Sequence, residues 1–418
     1  MAGILVDIEP LRRYPAFRRL WAGAAISSIG SQLSVVAIAY EVYHLTGSNL
    51  DVGLISLAQL VPSLFGSFVG GPIADAMDRR KLLLICGTAL AMLSMGLAVE
   101  VDRAHPSLML LYLLSAATSL VQAVNAPAQT AMMISIVERE HFVKANALRQ
   151  LSNQVSSVVG PTIAGLLIST WGTKVAFSAN ALSFLVAILA VYSVGARPPV
   201  GGVTRFGWRS IAEGFAFLKT RPAIQGSFLA DFNAMVLGMP TALFPAMAAT
   251  HFHGGPRTVG LLYAAPGIGA IVGGGLSGWT GRVRRGGLAI CLLSAGWGVA
   301  IAAFGAMPWI VPAVVCLGLA GACDITASIF RGTIIQTQTP DRLRGRLSAI
   351  QTAVVSNGPR LGNTEAGLVA AATTTQFSVV SGGVGCVIGM AIIARLLPRF
   401  AHYEFEDKED ALVPDAPG

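Results

Sequence analysis

Long apolar runs alternate along the chain with short stretches rich in arginine, glycine and proline. Runs long enough to cross a bilayer, about 20 residues each, fall at roughly 20 to 43, 52 to 74, 82 to 101, 108 to 136, 145 to 169, 175 to 194, 224 to 250, 259 to 280, 287 to 306, 310 to 330, 347 to 371 and 376 to 396. The pattern predicts an all-α integral membrane protein with twelve transmembrane helices. Residues 1–19 carry Arg12, Arg13, Arg18 and Arg19 and no apolar core, so they read as a segment ahead of the first span rather than a cleaved leader.

The composition fits: of 418 residues 54% are hydrophobic and 12% charged, which excludes an ordinary soluble protein. Of the 29 Lys and Arg, only Arg103, Lys174 and Arg257 fall in segments on one side, and Arg360 lies within a span. The rest fall on the other side, which the positive-inside bias makes cytoplasmic together with both termini. The net charge of +8 is spread over short loops, and no nucleic-acid partner is expected. The five cysteines sit singly in apolar runs, which argues against disulfides and a zinc site.

The halves repeat one another. Pro15-Ala16 recurs as Pro222-Ala223, Val52-Gly53-Leu54 as Val259-Gly260-Leu261, and Gly160-Pro161-Thr162-Ile163-Ala164-Gly165-Leu166 as Gly362-Asn363-Thr364-Glu365-Ala366-Gly367-Leu368, all displaced by roughly 200 residues. This divides the chain into an N-terminal segment 1–19, a six-helix half 20–194, a linker 195–223 with an amphipathic surface helix over Ile211 to Leu218, a second half 224–396, and an acidic tail 397–418, read as disordered from Glu404 to Asp410. Parallel halves with a site between them are a transporter architecture.

Between the second and third spans lies Gly70-Gly71-Pro72-Ile73-Ala74-Asp75-Ala76-Met77-Asp78-Arg79-Arg80-Lys81. Glycine and proline let two helix ends approach, and Asp75 at a helix end needs a cationic or helix-terminal partner, the makings of a latch. Gly71, Asp75, Arg79 and Arg80 resemble the loop signature of the major facilitator superfamily, with Ala76 and Asp78 departing from it. Gly160, Pro161 and Gly165 resemble the fifth-helix motif of its proton-coupled exporters, although Ser156 replaces that motif's first glycine. The stretch Ile334 to Arg346, with Gly260 to Ala265 and Ser277-Gly278-Trp279, is similar to the siderophore-exporter subgroup typified by enterobactin exporters, which also holds drug efflux proteins. The resemblance runs from about Pro15 to Leu397. It implies two six-helix pseudo-repeats and alternating access in a bacterial inner membrane, with proton-driven efflux of a siderophore or, alternatively, a hydrophobic drug.

Four ionisable groups lie within spans of the second half: Asp231, Asp324, Arg360 and Glu365. Buried charge in a membrane is costly and marks pathways by default. Asp231 and Asp324 lie about 10 Å and Arg360 about 20 Å in from their span ends, so the three can face one cavity, where Arg360 is the expected partner of both carboxylates. Glu365 is nearer the outer surface, and Glu41, able to reach the interface, is a further acidic candidate. Gln32, Gln59, Gln122, Asn125, Gln129, Asn153 and Gln154 are candidate cavity-lining amides, or glue between helices. Phe232, with Phe65, Phe68 and Phe184, could contact aromatic cargo. A membrane enzyme needs convergent catalytic groups, and none of the six histidines lies inside a span. A non-transporting receptor or scaffold remains the other alternative, and no cofactor or metal is expected. The expected partners are small-molecule cargo, protons and the lipid bilayer, with the chain working as a monomer.

Overall fold

The structure, a computed structural model, describes residues 7–195, 216–218 and 220–405. A short helix, Glu9–Arg13, precedes twelve long ones: α1 (Pro15–Thr46), α2 (Asn49–Ala76), α3 (Arg79–Val101), α4 (Leu108–Ile136), α5 (Phe142–Trp171), α6 (Thr173–Tyr192), α7 (Pro222–Leu237), α8 (Pro256–Gly275), α9 (Gly286–Ala306), α10 (Ile310–Gln338), α11 (Asp341–Ala372) and α12 (Thr375–Leu396). No strand occurs among the described residues. Among the described residues eleven of these, with α7 counted together with its continuation to His251, are long and apolar enough to cross a membrane. The remaining one, α11, carries Asn357, Arg360 and Glu365 along its length.

The helices outrun their apolar stretches. The tenth, expected to end at 330, continues to Gln338, and the fifth begins at Phe142 rather than 145. Their ends are set by local chemistry. Gly47 and Gly172 close α1 and α5 at φ 62° and 80°, which a Cβ would strain. Ser48, Ser107 and Thr374 accept backbone N–H groups at the starts of α2, α4 and α12. Asp78, the departure from the loop signature, caps α3 by accepting from the N–H groups of Arg80 and Lys81 at 2.8 and 3.2 Å.

The helix pairings of the first half recur in the second. α2 packs on α4 and α3 on α6, as α8 packs on α10 and α9 on α12. The main contacts between halves are α5 with α8 and α2 with α11, which the repeat exchanges. Both lie toward the end away from the linker and use glycine, which lets backbones meet. A Cβ on Gly53 would stand 3.1 Å from the Gly367 Cα, and one on Gly260 would stand 2.9 Å from the Gly165 Cα.

The seventh span is not one helix. After α7 the chain turns through Gly238-Met239-Pro240 into a short 3-10 turn, a turn of α-helix and a π-helical turn ending at His251. Freed backbone groups inside a membrane need partners, and neighbouring helices supply them. Trp297 Nε1 of α9 donates to the Gly238 carbonyl at 2.8 Å. Tyr263 of α8 donates to the Thr241 carbonyl at 2.8 Å, while Asn363 Oδ1 of α11 accepts from the Ala242 N–H and the Thr241 hydroxyl at 2.9 and 2.8 Å.

Most of the linker, including most of the expected surface helix over Ile211 to Leu218, lies outside the described residues. The start of the tail differs from the disorder expected there. Phe400 is fully buried, the Phe405 N–H donates to the Arg284 carbonyl at 2.9 Å, and Glu404 pairs with Arg285 at 2.9 Å. An aromatic cluster of Phe330, Tyr403 and Phe405 holds this segment against α10, so apolar packing outweighs the acidic composition. Residues 406–418 lie outside the described part.

Candidate functional site

Asp231 and Asp324 do share a cationic partner, but it is Arg331 rather than Arg360. Arg331 Nη2 lies 2.9 Å from Asp231 Oδ1 and donates to Asp324 Oδ1 at 3.1 Å. Asp324 and Arg331 are seven residues apart on α10, two turns and hence the same face, while Asp231 approaches from α7. The side chains of Asp231 and Arg331 are 6% and 7% exposed, and that of Asp324 is 44% exposed. The cluster is therefore sealed on one side and open at Asp324. Two carboxylates share one guanidinium, and Asp231 Oδ1, though close to Arg331, has no hydrogen bond among the described residues. With both carboxylates ionised the cluster carries one net negative charge, and only Asp324 of the three groups reaches solvent.

Arg360 is engaged elsewhere, because α11 turns it toward the other half. Its Nη1 donates to Ser63 Oγ of α2 at 2.8 Å, to the Ser356 carbonyl at 2.9 Å and to Asn357 Oδ1 at 3.0 Å. With Gln59, Tyr263 and Asn363 it borders a cavity of about 100 Å³ between the halves. Glu41 does not reach an interface: it is buried and accepts a hydrogen bond of 2.5 Å from the Thr173 hydroxyl, tying α1 to the start of α6. Glu365 is half-buried on α11, with no hydrogen bond or ion pair among the described residues.

A larger cavity, about 350 Å³, lies within the first half between α1, α4 and α5. Gln122, Asn125, Gln129 and Asn153 line it as the sequence suggested, and so does Arg149. Of the phenylalanines, Phe184 borders it, whereas Phe65, Phe68 and Phe232 are 62%, 41% and 43% exposed. Gln32 serves packing instead, its Cβ 2.4 Å from where a Cβ on Gly160 would stand. Pro161 lies inside α5, which runs on past it to Trp171, and Gly165 faces α8.

At the charged loop, Arg80 Nη2 donates to the Tyr192 carbonyl at 2.8 Å and its guanidinium stands 4.9 Å from the Tyr192 ring. This fastens the start of α3 to the end of α6. Asp75 is half-buried in the last turn of α2, Arg79 is half-buried, and a Cβ on Gly71 would meet nothing within 4 Å.

Sequence reasoning missed Arg331 and Arg149. Both stand at the edge of an apolar run, where a cation reads as the start of a loop. The available signal was spacing: Arg331 is two turns beyond Asp324, and Arg149 one turn before Asn153.

A family model described as transmembrane secretion effector matches residues 7–414. Among curated proteins, the chain is 29% identical to Enterobactin exporter EntS of Escherichia coli K12 over 399 residues, 96% of each chain. It is 29% identical to the EntS of Citrobacter koseri over 411 residues, 98% of each. The EntS of Shigella boydii is 30% identical over 394 residues, 94% of each. Among solved structures, a bacterial homologue of the human lysosomal transporter Spinster, inward-facing and unoccupied, superposes with a TM-score of 0.73 at 16% identity over 95% of this chain and 99% of that one. A peptide transporter POT bound to alafosfalin gives 0.75 at 10% identity, over 93% and 95%. At these identities the structures establish the fold.

Proposed function

The chain belongs to the transmembrane secretion effector family of major facilitator transporters, and from that premise we propose that it exports a small molecule across a bacterial inner membrane in exchange for protons. It is a multi-pass membrane transporter, and its relatives are transporters rather than enzymes. In this reading the end bearing the linker faces the cytoplasm, in keeping with the distribution of Lys and Arg. The halves alternate access about the cavities between and within them. The exporter names of the relatives favour a siderophore as cargo; a hydrophobic drug is the alternative.

The observation that carries proton coupling is the Asp231–Arg331–Asp324 cluster. When both carboxylates are ionised they compete for one guanidinium; protonation of either releases Arg331 to the other. Opening and closing of the half around Asp324 changes its access to water, which links proton uptake to conformation. Gly71, Asp75, Arg79 and Arg80 keep their proposed role as a latch at the linker end, with Arg80 anchored on Tyr192. Arg360, with Ser63, joins the halves near their contact, and Glu41 and Glu365 have no part in the coupling. The protein acts as a monomer.

The test is a pair of measurements. Deletion of the gene should lower the cell's own siderophore in spent medium, and proteoliposomes holding the purified chain should expel that siderophore on imposition of a proton gradient. Unchanged siderophore in the medium would remove that cargo, and efflux indifferent to the gradient would remove the coupling.

A further inference from the structure

The cavity of the first half has a chemistry that proton coupling leaves unexplained. Gln122, Asn125 and Gln129 recur at i, i+3 and i+7 on α4, a single stripe facing inward. Arg149 and Asn153, at i and i+4 on α5, stand across from it, and Ser27, Ser28 and Ser31 of α1 close the wall. Arg149 is the one charged residue among the described residues lining the cavity. Its guanidinium is bonded only to a neutral group, Asn146 Oδ1, from Nη2 at 3.0 Å and Nε at 3.3 Å. No carboxylate lies within ion-pair distance of it among the described residues.

An apolar chamber of about 70 Å³ adjoins this wall and shares Trp21, Asn125, Gln129, Arg149 and Phe184 with it. It runs between α3 and α6, where Leu83, Gly87, Leu90, Ile188 and Val191 line it. A polar space and an apolar slot thus meet at a guanidinium that lacks a counter-charge. Like charge repels a cation brought close to Arg149, whereas an anion there is attracted. The planar fork suits a carboxylate or phenolate oxygen, and the amides can satisfy the remaining acceptors.

We infer that this half contains a cargo subsite for an amphiphilic anion: the anionic head pairs with Arg149 and the amides of α4, and an aromatic ring enters the slot between α3 and α6. The inference rests on the transport reading above and adds to it the sign of the cargo's charge and where it sits. It also explains why the site lies in the half without the carboxylate cluster, since an anion is kept away from Asp231 and Asp324.

Three probes of one shape and different charge test it: 2-naphthoate, 2-naphthamide and 2-naphthylmethylammonium. Binding to the purified full chain is measured by calorimetry in phosphatidylcholine nanodiscs without a proton gradient, so a failure of coupling leaves this result intact. Naphthoate should bind most tightly and the ammonium least. Arg149→Gln should weaken naphthoate by about tenfold, the loss of one charge-assisted contact, while naphthamide binds as before and so reports a folded site. Ser28→Phe, which fills the polar space, should weaken both. The inference is overturned if the ammonium binds as well as naphthoate, if none of the three binds, or if Arg149→Gln leaves naphthoate unchanged. Displacement of naphthoate by phosphatidylglycerol added to the nanodiscs would make the occupant an anionic lipid and equally refute a cargo site.

Discussion

Gly260 of α8 rests against Gly165 of α5 so closely that a Cβ on Gly260 would stand 2.9 Å from the Gly165 Cα and 2.5 Å from the Pro161 carbonyl oxygen. The repeat produces the same contact on the other side of the bundle, between Gly53 and Gly367. Gly260→Val is expected to force α5 and α8 apart and cut transport at least tenfold, with a weaker loss for Gly260→Ala, because the opposing atoms are backbone and cannot rotate away. Crosslinking of cysteines at Ser169 and Arg257, whose side chains touch at 3.0 Å, would read the separation. Parental crosslinking in Gly260→Val would count against the close approach.

Removing Arg331 should be worse than removing either carboxylate. Arg331→Gln leaves Asp231 buried without a counter-charge, which in buried pairs costs about 3 to 5 kcal/mol, so expression and thermal stability should fall. Asp231→Asn with Arg331→Gln should restore stability but not gradient-driven efflux, as no buried proton site remains. Asp324→Asn, at an open position, should leave stability near parental and still impair coupling. Unimpaired gradient-driven efflux in both Asp231→Asn and Asp324→Asn would take the cluster out of the mechanism.

The N-terminal segment is clasped to the start of α5: Lys144 Nζ lies 2.7 Å from Asp7 and 2.5 Å from Glu9. Hydrogen bonding to Lys144 holds both carboxyls below their ordinary values, with backbone bonding at Asp7 and His141 at Glu9 adding to it. A depressed carboxylate contributes stability that is present above its unfolded pKa and is lost as pH falls through the folded one. The clasp should hold at neutral pH and open on acidification below about pH 4. Hydrogen exchange of residues 9–13 should rise over that range, and Lys144→Ala should give fast exchange at pH 7. Exchange insensitive to both would show that the clasp does not order the segment.

Orientation is open to thiol labelling. Gly278, in the turn after α8, and Gly255, just before α8, each have space around a Cβ, and they lie at opposite ends of the bundle. A cysteine at Gly255 should react with an impermeant reagent on intact spheroplasts and one at Gly278 should not. The opposite pattern would reverse the proposed topology.

The spans other than α11 were legible because the bilayer demands long apolar runs, and the repeat was legible because its echoes fall where helices cross, at Gly53 and Gly260 and at Gly165 and Gly367. Asp231 and Asp324 were legible as charges where water is scarce. Arg331 and Arg149 were not, because each lies just beyond or just inside the end of an apolar run while the helix continues, by seven residues in α10 and with seven preceding ones in α5. Hydropathy locates the hydrocarbon boundary; backbone hydrogen bonding decides where the helix stops, and side chains between the two limits still project into the protein. The interruption of the seventh span was hidden likewise, since Gly238 and Pro240 leave its mean hydropathy high.

That interruption makes the two copies unequal. α1 is an unbroken rod of 32 residues, whereas its counterpart α7 ends after 16. The part bearing Asp231 is moored to α12 through Asn233, which donates to the Cys386 carbonyl at 2.9 Å, the break itself to α9 at Gly238, and the part beyond it to α8 and α11. A rod transmits a tilt along its whole length; a jointed one lets its lower arm swing while its upper arm stays fixed. The two copies have thus diverged in build, a stiff rod opening one half and a jointed span opening the other.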